Sequence, residues 1–407
     1  MSTRTAVTGM SAATALGLDT EEYWKAVLSG QHGIRELTRF DTAGHPAKLA
    51  GEITEFRAAD HLPGRLLPQT DVSTQLALAV ADWAIEDAAL APEKIRDYDM
   101  GVVTSNALGG FEFTHREFNK LWNHGPQSVS VYESFAWFYA VNTGQISIRH
   151  KMRGPGAALV GEQAGGLDAI GHARRTIRRG TPLVLTGGVD SAFDPWGWAS
   201  QQAGGRVSTE SDPHGAYLPF DERAAGYVPG EGGAILVLEE LTAAMRRGAP
   251  RLHGEIVGYA ATFDPKPGSG RPPGLKRAAE LAIADAGLTP EAIDLVFADA
   301  AGLPQLDRAE ADAINELFGR HKVPVAAPKA SFGRLYSGGG PVDVLTALLS
   351  IRDDVVPPVT FPDSAQGFHG LDLVVGEPRS ADVDTVLIQA RGRWGFNSAL
   401  VIRAFRA

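Results

Sequence analysis

Short continuous apolar runs alternate with helical stretches along the whole chain. In the first 250 residues these runs are MGVVTSN, PGAALVG, PLVLTGG and GAILVLEE, at residues 100–106, 155–161, 182–188 and 233–240. Runs of this length and composition are typical of strands that are buried on both faces, as in the sheet of an α/β protein. Helical patterns at residues 71–90 and 163–179 separate several of them. The alternation therefore predicts an α/β fold around a largely buried sheet.

The same alternation starts again after residue 250. Further strand candidates are GEIVGYAAT, IDLVFADAAG and TVLIQARG, at residues 254–262, 293–302 and 385–392. Two consecutive halves with a similar order of strands and helices indicate a duplicated architecture. We therefore predict an N-terminal half at residues 1–250 and a C-terminal half at residues 251–407.

Charge and cysteine usage exclude several classes of function. The chain has no Cys, which excludes disulfides, thiolate metal sites and cysteine nucleophiles. Its net charge of −10 disfavours a nucleic-acid partner. The 11 His residues are scattered without metal-ligand spacing, so we expect no metal site. No apolar run reaches the roughly 18 residues that span a bilayer, and the N-terminal segment is not a secretory signal, so we expect a cytoplasmic protein without membrane contact.

The segment GEQAGG, at residues 161–166, is the most informative local motif. A strand candidate precedes it and a helix candidate follows it, which is the arrangement of a nucleophile elbow. The residue at the nucleophile position is Gln163, whose amide is neither a nucleophile nor a base. The motif therefore predicts the geometry of an active site without its reactive group.

Several longer segments extend this observation. GEQAGG followed by GTPLVLTGGVDSAF, the run FDERAAGYVPGEGGAILVLE at residues 220–239 and the closing GRWGFNSALVI at residues 392–402 resemble the β-ketoacyl synthases. The resemblance covers essentially the whole chain. It implies the thiolase-like fold, a duplicated α/β fold with five layers in the order α-β-α-β-α.

Measured against that family, the catalytic residues are missing. The family has a cysteine where this chain has Gln163, and histidines at the positions of Asp299 and Arg334, whereas the lysine at Lys329 is retained. Condensation needs a thiolate and donors to an enolate, and these residues supply neither. We therefore expect no condensation by this chain alone and no catalytic residues, and we predict that Arg334 pairs with Asp299.

The combination of missing residues is similar to that of the chain length factors of aromatic type II polyketide synthases. The runs GGFEFTHREFNKLW and SVSVYESFAWFYAVNTGQISIRH, at residues 109–122 and 128–150, also resemble that group. The resemblance implies a heterodimer with a cysteine-bearing ketosynthase that elongates the growing polyketide. It further implies contact with an acyl carrier protein, whose phosphopantetheine acts mainly at the partner, and no cofactor in this chain.

The resemblance also implies a set of residues that limit chain length. Phe111, Thr114 and Phe118 are spaced by three and four, which places them on one face of a helix. In the family this face lines the polyketide channel, and Trp196 and Gly197 are further candidates for the same wall. Without the resemblance, such an aromatic stripe would be interpreted as ordinary core. Two large rings suggest a short product, of the octaketide class.

Three alternatives stay open at this point. The Gln163 amide could hydrogen-bond a thioester and favour decarboxylation of malonyl-carrier protein to an acetyl starter. Alternatively, and as the preferred interpretation, Gln163 only fills a vestigial pocket in which its amide is satisfied. A serine such as Ser337, in the run YSGGG, could serve an acyltransferase or hydrolase, but no serine occupies an elbow.

Overall fold

A computed structural model describes residues 3–266, 268–361 and 368–406. Its strands are β1 Thr5–Ala13, β2 Arg35–Glu36, β3 Leu49–Ala50, β4 Met100–Ser105, β5 Gly156–Leu159, β6 Leu183–Asp190, β7 Gly232–Glu240, β8 Gly254–Phe263, β9 Leu295–Phe297, β10 Pro324–Ala326, β11 Val355–Val356, β12 Asp372–Leu373, β13 Arg379–Ser380, β14 Thr385–Arg391 and β15 Phe396–Arg403.

The α-helices are α1 Thr20–Leu28, α2 Ala58–His61, α3 Val72–Asp87, α4 Phe111–His124, α5 Glu133–Ala136, α6 Val141–His150, α7 Gln163–Arg178, α8 Pro195–Gln202, α9 Leu241–Arg247, α10 Leu275–Asp285, α11 Pro304–Phe318 and α12 Gly339–Asp353. Single 3₁₀ turns lie at Leu67–Gln69, Pro92–Lys94, Asp97–Asp99, Pro126–Ser128, Pro290–Ala292, Pro328–Ser331, Tyr336–Gly338 and Arg393–Gly395. The helices predicted at residues 71–90 and 163–179 correspond to α3 and α7.

The large sheet repeats one strand order in its two halves. The N-terminal half has the order β5-β4-β6-β7-β1, and the C-terminal half has the order β10-β9-β14-β15-β8 with β12 added at its edge. Equivalent pairs agree in direction, since β4 is parallel to β6 as β9 is to β14, and β6 is antiparallel to β7 as β14 is to β15. The two halves join where β1 pairs with β8. The predicted boundary at residue 250 lies between α9 and β8.

Helices lie on both faces of each half of the sheet. On the N-terminal half, α3 covers β1 and β7, and on the C-terminal half, α10 covers β8 and β15. Between the halves, α7 contacts β4, β6, β14 and β15, while α12 contacts β7 and β14. This middle layer is the most deeply buried part of the chain, because every residue of α12 from Gly339 to Ser350 is buried. The predicted five-layered, duplicated α/β fold is therefore confirmed.

Local sequence signals explain several helix ends. Asp19 caps α1 by accepting hydrogen bonds from the backbone N–H groups of Glu21 and Glu22, and Asp71 caps α3 through Ser73 N. Over the three ranges that the structure describes, no helix combines the length and the apolar character that a membrane crossing requires.

Candidate functional site

The turn between β5 and α7 has the geometry of a nucleophile elbow. Glu162 has φ 52° and ψ −134°, a backbone conformation that costs energy for a residue with a Cβ. Gln163 is then the first residue of α7. The close approach of the neighbouring loop requires Gly166, because a Cβ at that position would lie 2.2 Å from the Ser337 carbonyl oxygen. The strand–turn–helix predicted from GEQAGG is confirmed.

Gln163 fills the nucleophile position completely. Its side chain is 0% exposed, and neither Nε2 nor Oε1 has a hydrogen-bond partner among the described residues. The amide packs against Gly339 in the middle layer, where an added Cβ would lie 2.6 Å from Nε2. The prediction that Gln163 fills the pocket is therefore right, whereas no group that satisfies its amide is found among the described residues. The reason is that the wall it meets there is the backbone Cα of a glycine rather than a polar group.

The two positions of the family's histidines meet as a buried ion pair. Arg334 Nη2 donates to Asp299 Oδ1 over 3.1 Å and to the Arg391 carbonyl oxygen over 2.8 Å. Arg334 is 3% exposed and Asp299 is 0% exposed. Asp299 Oδ1 also accepts a hydrogen bond from Arg391 N at 2.9 Å. The predicted pairing is confirmed, and it connects the loop after β9 to the end of β14.

The strained residue of the elbow belongs to the same charge cluster. Glu162 Oε1 lies 3.8 Å from Arg334 Nε, and its Oε2 accepts a hydrogen bond from Arg393 N. Burial raises the pKa of Glu162, and the charge of Arg334 lowers it in part. Burial lowers the pKa of Arg334, but Asp299 and Glu162 more than offset this, so that the pKa lies above its ordinary value. The cluster therefore holds the guanidinium charged.

Lys329 and Ser337 are also engaged in structural contacts. Lys329 Nζ donates to the Ala298 carbonyl oxygen over 2.5 Å and to Asp343 Oδ2 over 2.6 Å, and its side chain is 1% exposed. Ser337 Oγ donates to Asp190 Oδ2 over 2.5 Å and is fully buried. A buried hydroxyl that donates to a carboxylate is not placed as an acyl acceptor, so the geometry does not favour the serine alternative.

Helix α4 is fixed firmly along one side. Asp71 Oδ2 accepts a hydrogen bond from Phe113 N over 2.9 Å, and the Phe113 ring is 1% exposed in the core. On the next turns, the buried carboxylate of Glu117 accepts hydrogen bonds from Lys120 Nζ over 2.7 Å and from Ser130 N over 2.8 Å. These contacts hold the helix against the core and against the segment that follows it. A neighbouring face of the helix borders a cavity.

We call this space the gate cavity, α4 the gate helix, and the five residues predicted to limit chain length the gate residues. The gate cavity has a volume of about 350 Å³ and brings four of the gate residues together. The Phe111 and Trp196 rings lie 4.8 Å apart between centroids, and those of Phe118 and Trp196 lie 5.8 Å apart. Thr114 is 6% exposed, so its side chain forms a buried part of this wall. The residues that line the cavity are Leu108, Gly110, Phe111, Thr114, Phe118, Glu133, Trp137, Tyr139 and Trp196.

Gly197, the fifth predicted gate residue, does not line the gate cavity. It lines a second cavity of about 250 Å³, which reaches to Gly161 and Glu162 at the elbow. Trp196 and Gly197 are consecutive in the first turn of α8, so they face different sides of the helix. The second cavity is lined by Ala107, Leu108, Phe111, Val160, Gly161, Glu162, Gly197, Ser200, Gln201, Tyr227, Tyr336, Arg393, Trp394 and Phe396.

Sequence reasoning missed the wall of the gate cavity opposite α4. Glu133, Trp137 and Tyr139 come from the segment around the short helix α5. Burial raises the pKa of Glu133, and the nearby Glu117 adds to the effect, although Thr114 reduces it in part. The signal was the aromatic triplet at residues 137–139, which has no strand or helix period of its own and lies directly after α5 in the sequence.

Sequence models of one family match both halves of the chain. The N-terminal domain of β-ketoacyl synthase matches residues 2–244, and the C-terminal domain of β-ketoacyl synthase matches residues 253–361. The two matched segments are consecutive and together cover most of the chain.

Two relatives and one solved structure are similar over nearly their full lengths. Actinorhodin polyketide β-ketoacyl synthase 2 of Streptomyces coelicolor is 66% identical over 399 residues, which are 98% of each chain. The tetracenomycin polyketide synthase ketoacyl synthase β subunit of Streptomyces glaucescens is 56% identical over 98% of this chain and 97% of its own. The structure of the ishigamide ketosynthase/chain length factor superposes with a TM-score of 0.90 at 26% identity and covers 100% of both chains.

Proposed function

The chain belongs to the β-ketoacyl synthase family, among the chain length factors of type II polyketide synthases, and from this premise we propose how it sets the length of the polyketide. The gate cavity is the observation that carries the proposal. Its walls are the predicted gate residues Phe111, Thr114, Phe118 and Trp196. A close-packed interior admits no further ketide unit without an actual void, so these walls limit the number of malonyl extensions. Two phenylalanine rings in the wall favour an octaketide-class product.

The subunit does not condense on its own. Condensation transfers the growing chain to a thiolate, and the side chain at the elbow is the amide of Gln163. Decarboxylation of the extender unit needs hydrogen-bond donors that stabilise an enolate. At those positions Asp299 supplies a carboxylate that opposes the developing charge, and the Arg334 guanidinium is already engaged by Asp299 and by the Arg391 carbonyl oxygen. Chemistry therefore belongs to a cysteine-bearing ketosynthase partner.

The surface of this chain supports such a partner. Strand β5 is at the edge of the large sheet, and an edge strand presents unpaired backbone groups to a second chain. Large apolar side chains are exposed in the segments that follow the gate helix and β5, and exposed apolar residues of this size mark interaction sites. They are Val131 at 77% exposure, Trp137 and Phe138 at 47% each, and Val160 at 51%. Because Trp137 also lines the gate cavity, the partner would close that cavity from outside.

The proposal needs no cofactor within this chain. Malonyl units and the growing chain arrive as thioesters on the phosphopantetheine arm of an acyl carrier protein, which acts mainly at the ketosynthase. A cytoplasmic location and contact with the carrier protein are parts of the same proposal. This chain contributes the walls that limit the length of the channel, and it binds the ketosynthase.

The test uses the chain together with its ketosynthase, its carrier protein and a malonyl supply. Replacing Phe118→Ala enlarges the gate cavity, so we expect products longer by at least one ketide unit. Phe318→Ala is the matched control, because Phe318 is also a half-buried helical phenylalanine and lines neither cavity. If both variants lower the yield and neither changes product length, Phe118 only packs and the length-setting role lies elsewhere.

One observation favours a second function, decarboxylation of malonyl-carrier protein to an acetyl starter. The buried Gln163 amide has no hydrogen-bond partner among the described residues, so its Nε2–H group could donate to the carbonyl oxygen of a thioester that reached the pocket. The Asp299–Arg334 pair argues against this reaction, because Asp299 would place a carboxylate beside the enolate and already engages Arg334 Nη2. Release of carbon dioxide by the purified complex of an inactive ketosynthase cysteine variant, lost in Gln163→Ala, would support it.

A further inference from the structure

The gate cavity and the second cavity share a wall. Leu108 and Phe111 line both, and Trp196 lines the gate cavity whereas the next residue, Gly197, lines the second. The Phe111 ring packs on the Trp196 ring with 4.8 Å between centroids, so the two rings brace each other at this wall. The second cavity extends from there to Gly161 and Glu162, beside the position where a catalytic nucleophile would stand.

We propose that the second cavity is a reserve binding site for the distal end of the poly-β-keto chain, closed in the native protein by the Phe111 ring. The inference rests on the proposed function, because it takes the gate cavity as the end of the native channel. The second cavity lies beside the elbow, where this chain has Gln163 instead of a nucleophile, and the inference gives that cavity a function. It also separates the roles of the two gate phenylalanines, since Phe118 lines only the gate cavity.

The lining of the second cavity suits a chain with a carbonyl group on every second carbon. Apolar walls come from Phe111, Val160 and Phe396, as is usual for a small-molecule site. Donors are present as well, in the hydroxyl of Tyr227 and the guanidinium of Arg393. A keto chain can accept further hydrogen bonds from these groups, whereas a saturated acyl chain cannot, so the second cavity should favour a keto chain.

Removing the Phe111 ring therefore does more than removing the Phe118 ring. Phe118→Ala adds the volume of one ring to the gate cavity, whereas Phe111→Ala adds that volume and connects a further cavity of about 250 Å³. We expect Phe111→Ala to yield longer products than Phe118→Ala, although both replace the same side chain on the same face of α4.

The decisive experiment fills the second cavity again in the opened variant. Ser200 is on α8, is exposed to the second cavity and does not line the gate cavity. In the complete complex with ketosynthase, carrier protein and malonyl supply, we compare Phe111→Ala with the double variant Phe111→Ala/Ser200→Phe. We expect the ratio of longer products to octaketide to fall at least five-fold in the double variant. The single variant Ser200→Phe measures any direct effect of the added ring.

Two controls keep the result interpretable. Ala199→Phe in the Phe111→Ala background adds the same ring on the same helix, at an exposed residue that lines neither cavity, and should leave the ratio high. Ala107→Leu fills the second cavity from another element and makes the same test if Ser200→Phe lowers the melting temperature of the complex.

The outcomes separate this inference from the proposed function. Phe111→Ala could lengthen the product without reversal by either Ser200→Phe or Ala107→Leu. In that case the polyketide does not enter the second cavity and the inference is wrong, but the proposed role of the gate cavity is still supported. If neither Phe111→Ala nor Phe118→Ala changes product length, the gate itself is wrong. A reversal by both filling variants and not by Ala199→Phe establishes the reserve site.

Discussion

The elbow around Gln163 and the gate cavity beside α4 lie in the same half of the chain and are built by opposite means. At the elbow, buried charges cross-connect the surrounding loops, and the nucleophile position is filled by a side chain that has no hydrogen-bond partner in the described part of the chain. At the gate, one face of a helix is fixed by Asp71 and Glu117, and the other face is left beside a void walled by aromatic rings. One region is filled by side chains and cross-connected by charges, and the other keeps empty space.

The contrast teaches that two regions in the same half of the chain are supported in different ways. The loops at the elbow carry strained backbone, as at Glu162, and buried polar groups. An ion pair such as Asp299–Arg334 holds those loops together without any substrate. A surface that sets chain length needs a different arrangement, in which a rigidly held helix borders a cavity that no side chain fills. The two regions should therefore respond differently to substitutions of equal size.

The largest expected effect is at the elbow. Arg334→Met leaves the buried carboxylates of Asp299 and Glu162 without their cation, and removing one partner of a buried pair costs about 4 kcal/mol of stability. Urea denaturation of the purified chain measures this as a lower midpoint. Arg379→Met is the matched control, because its partner Asp372 is on the surface, and exposed pairs contribute less than about 1 kcal/mol.

A small effect of Arg334→Met would break the comparison. It would mean that water or the partner subunit solvates the charges of Asp299, Arg334 and Glu162, and that the elbow is as accessible to solvent as the gate cavity. Adding Asp299→Asn to Arg334→Met sharpens the test, since removing the second charge should restore part of the lost stability if the two groups interact directly.

The next effect compares the two faces of the gate helix. Phe113 is 1% exposed in the core, so Phe113→Ala should cost about 3 kcal/mol of unfolding free energy. Phe118 is half-buried beside the cavity, so Phe118→Ala should cost about half as much. Product analysis should show the opposite ranking, with altered length only for Phe118→Ala. Equal destabilisation by both variants would show that the gate cavity is filled by packing in the assembled protein.

The sequence supported the elbow more completely than the gate. Strand, glycine turn and helix around residue 163 are local signals, and the positions of Asp299 and Arg334 followed from motifs that keep register with a known family. The pairing of those two residues was predicted, because opposite charges at two meeting positions leave one sensible arrangement. Glu162 was not predicted as part of that cluster, since its strained backbone and its contact with Arg393 N depend on the loop after β14.

At the gate, helical spacing predicted which residues of α4 share a face, but it gave no information on the opposite wall. Glu133, Trp137 and Tyr139 reach the cavity through an irregular segment, where no period relates sequence to direction. Gly197 lines the second cavity rather than the gate cavity for a similar reason, because adjacent residues at a helix start point to different sides and the sequence does not define the boundary between two voids. Voids are properties of packing between distant segments.

The smallest expected effect has the opposite sign and concerns two buried glutamines. Gln163 has no hydrogen-bond partner in the described part of the chain, whereas Gln201 donates to the Ala192 carbonyl oxygen over 2.9 Å and accepts from the Tyr336 hydroxyl over 2.7 Å. Methionine is similar in length and carries no strong hydrogen-bonding group, so Gln163→Met removes an unsatisfied buried amide and should stabilise the chain by about 1 kcal/mol. Gln201→Met should destabilise it by a similar amount, as urea midpoints will show. If Gln163→Met destabilises as Gln201→Met does, the amide at the elbow has a partner, and the vestigial pocket is a polar site whose occupant still has to be found.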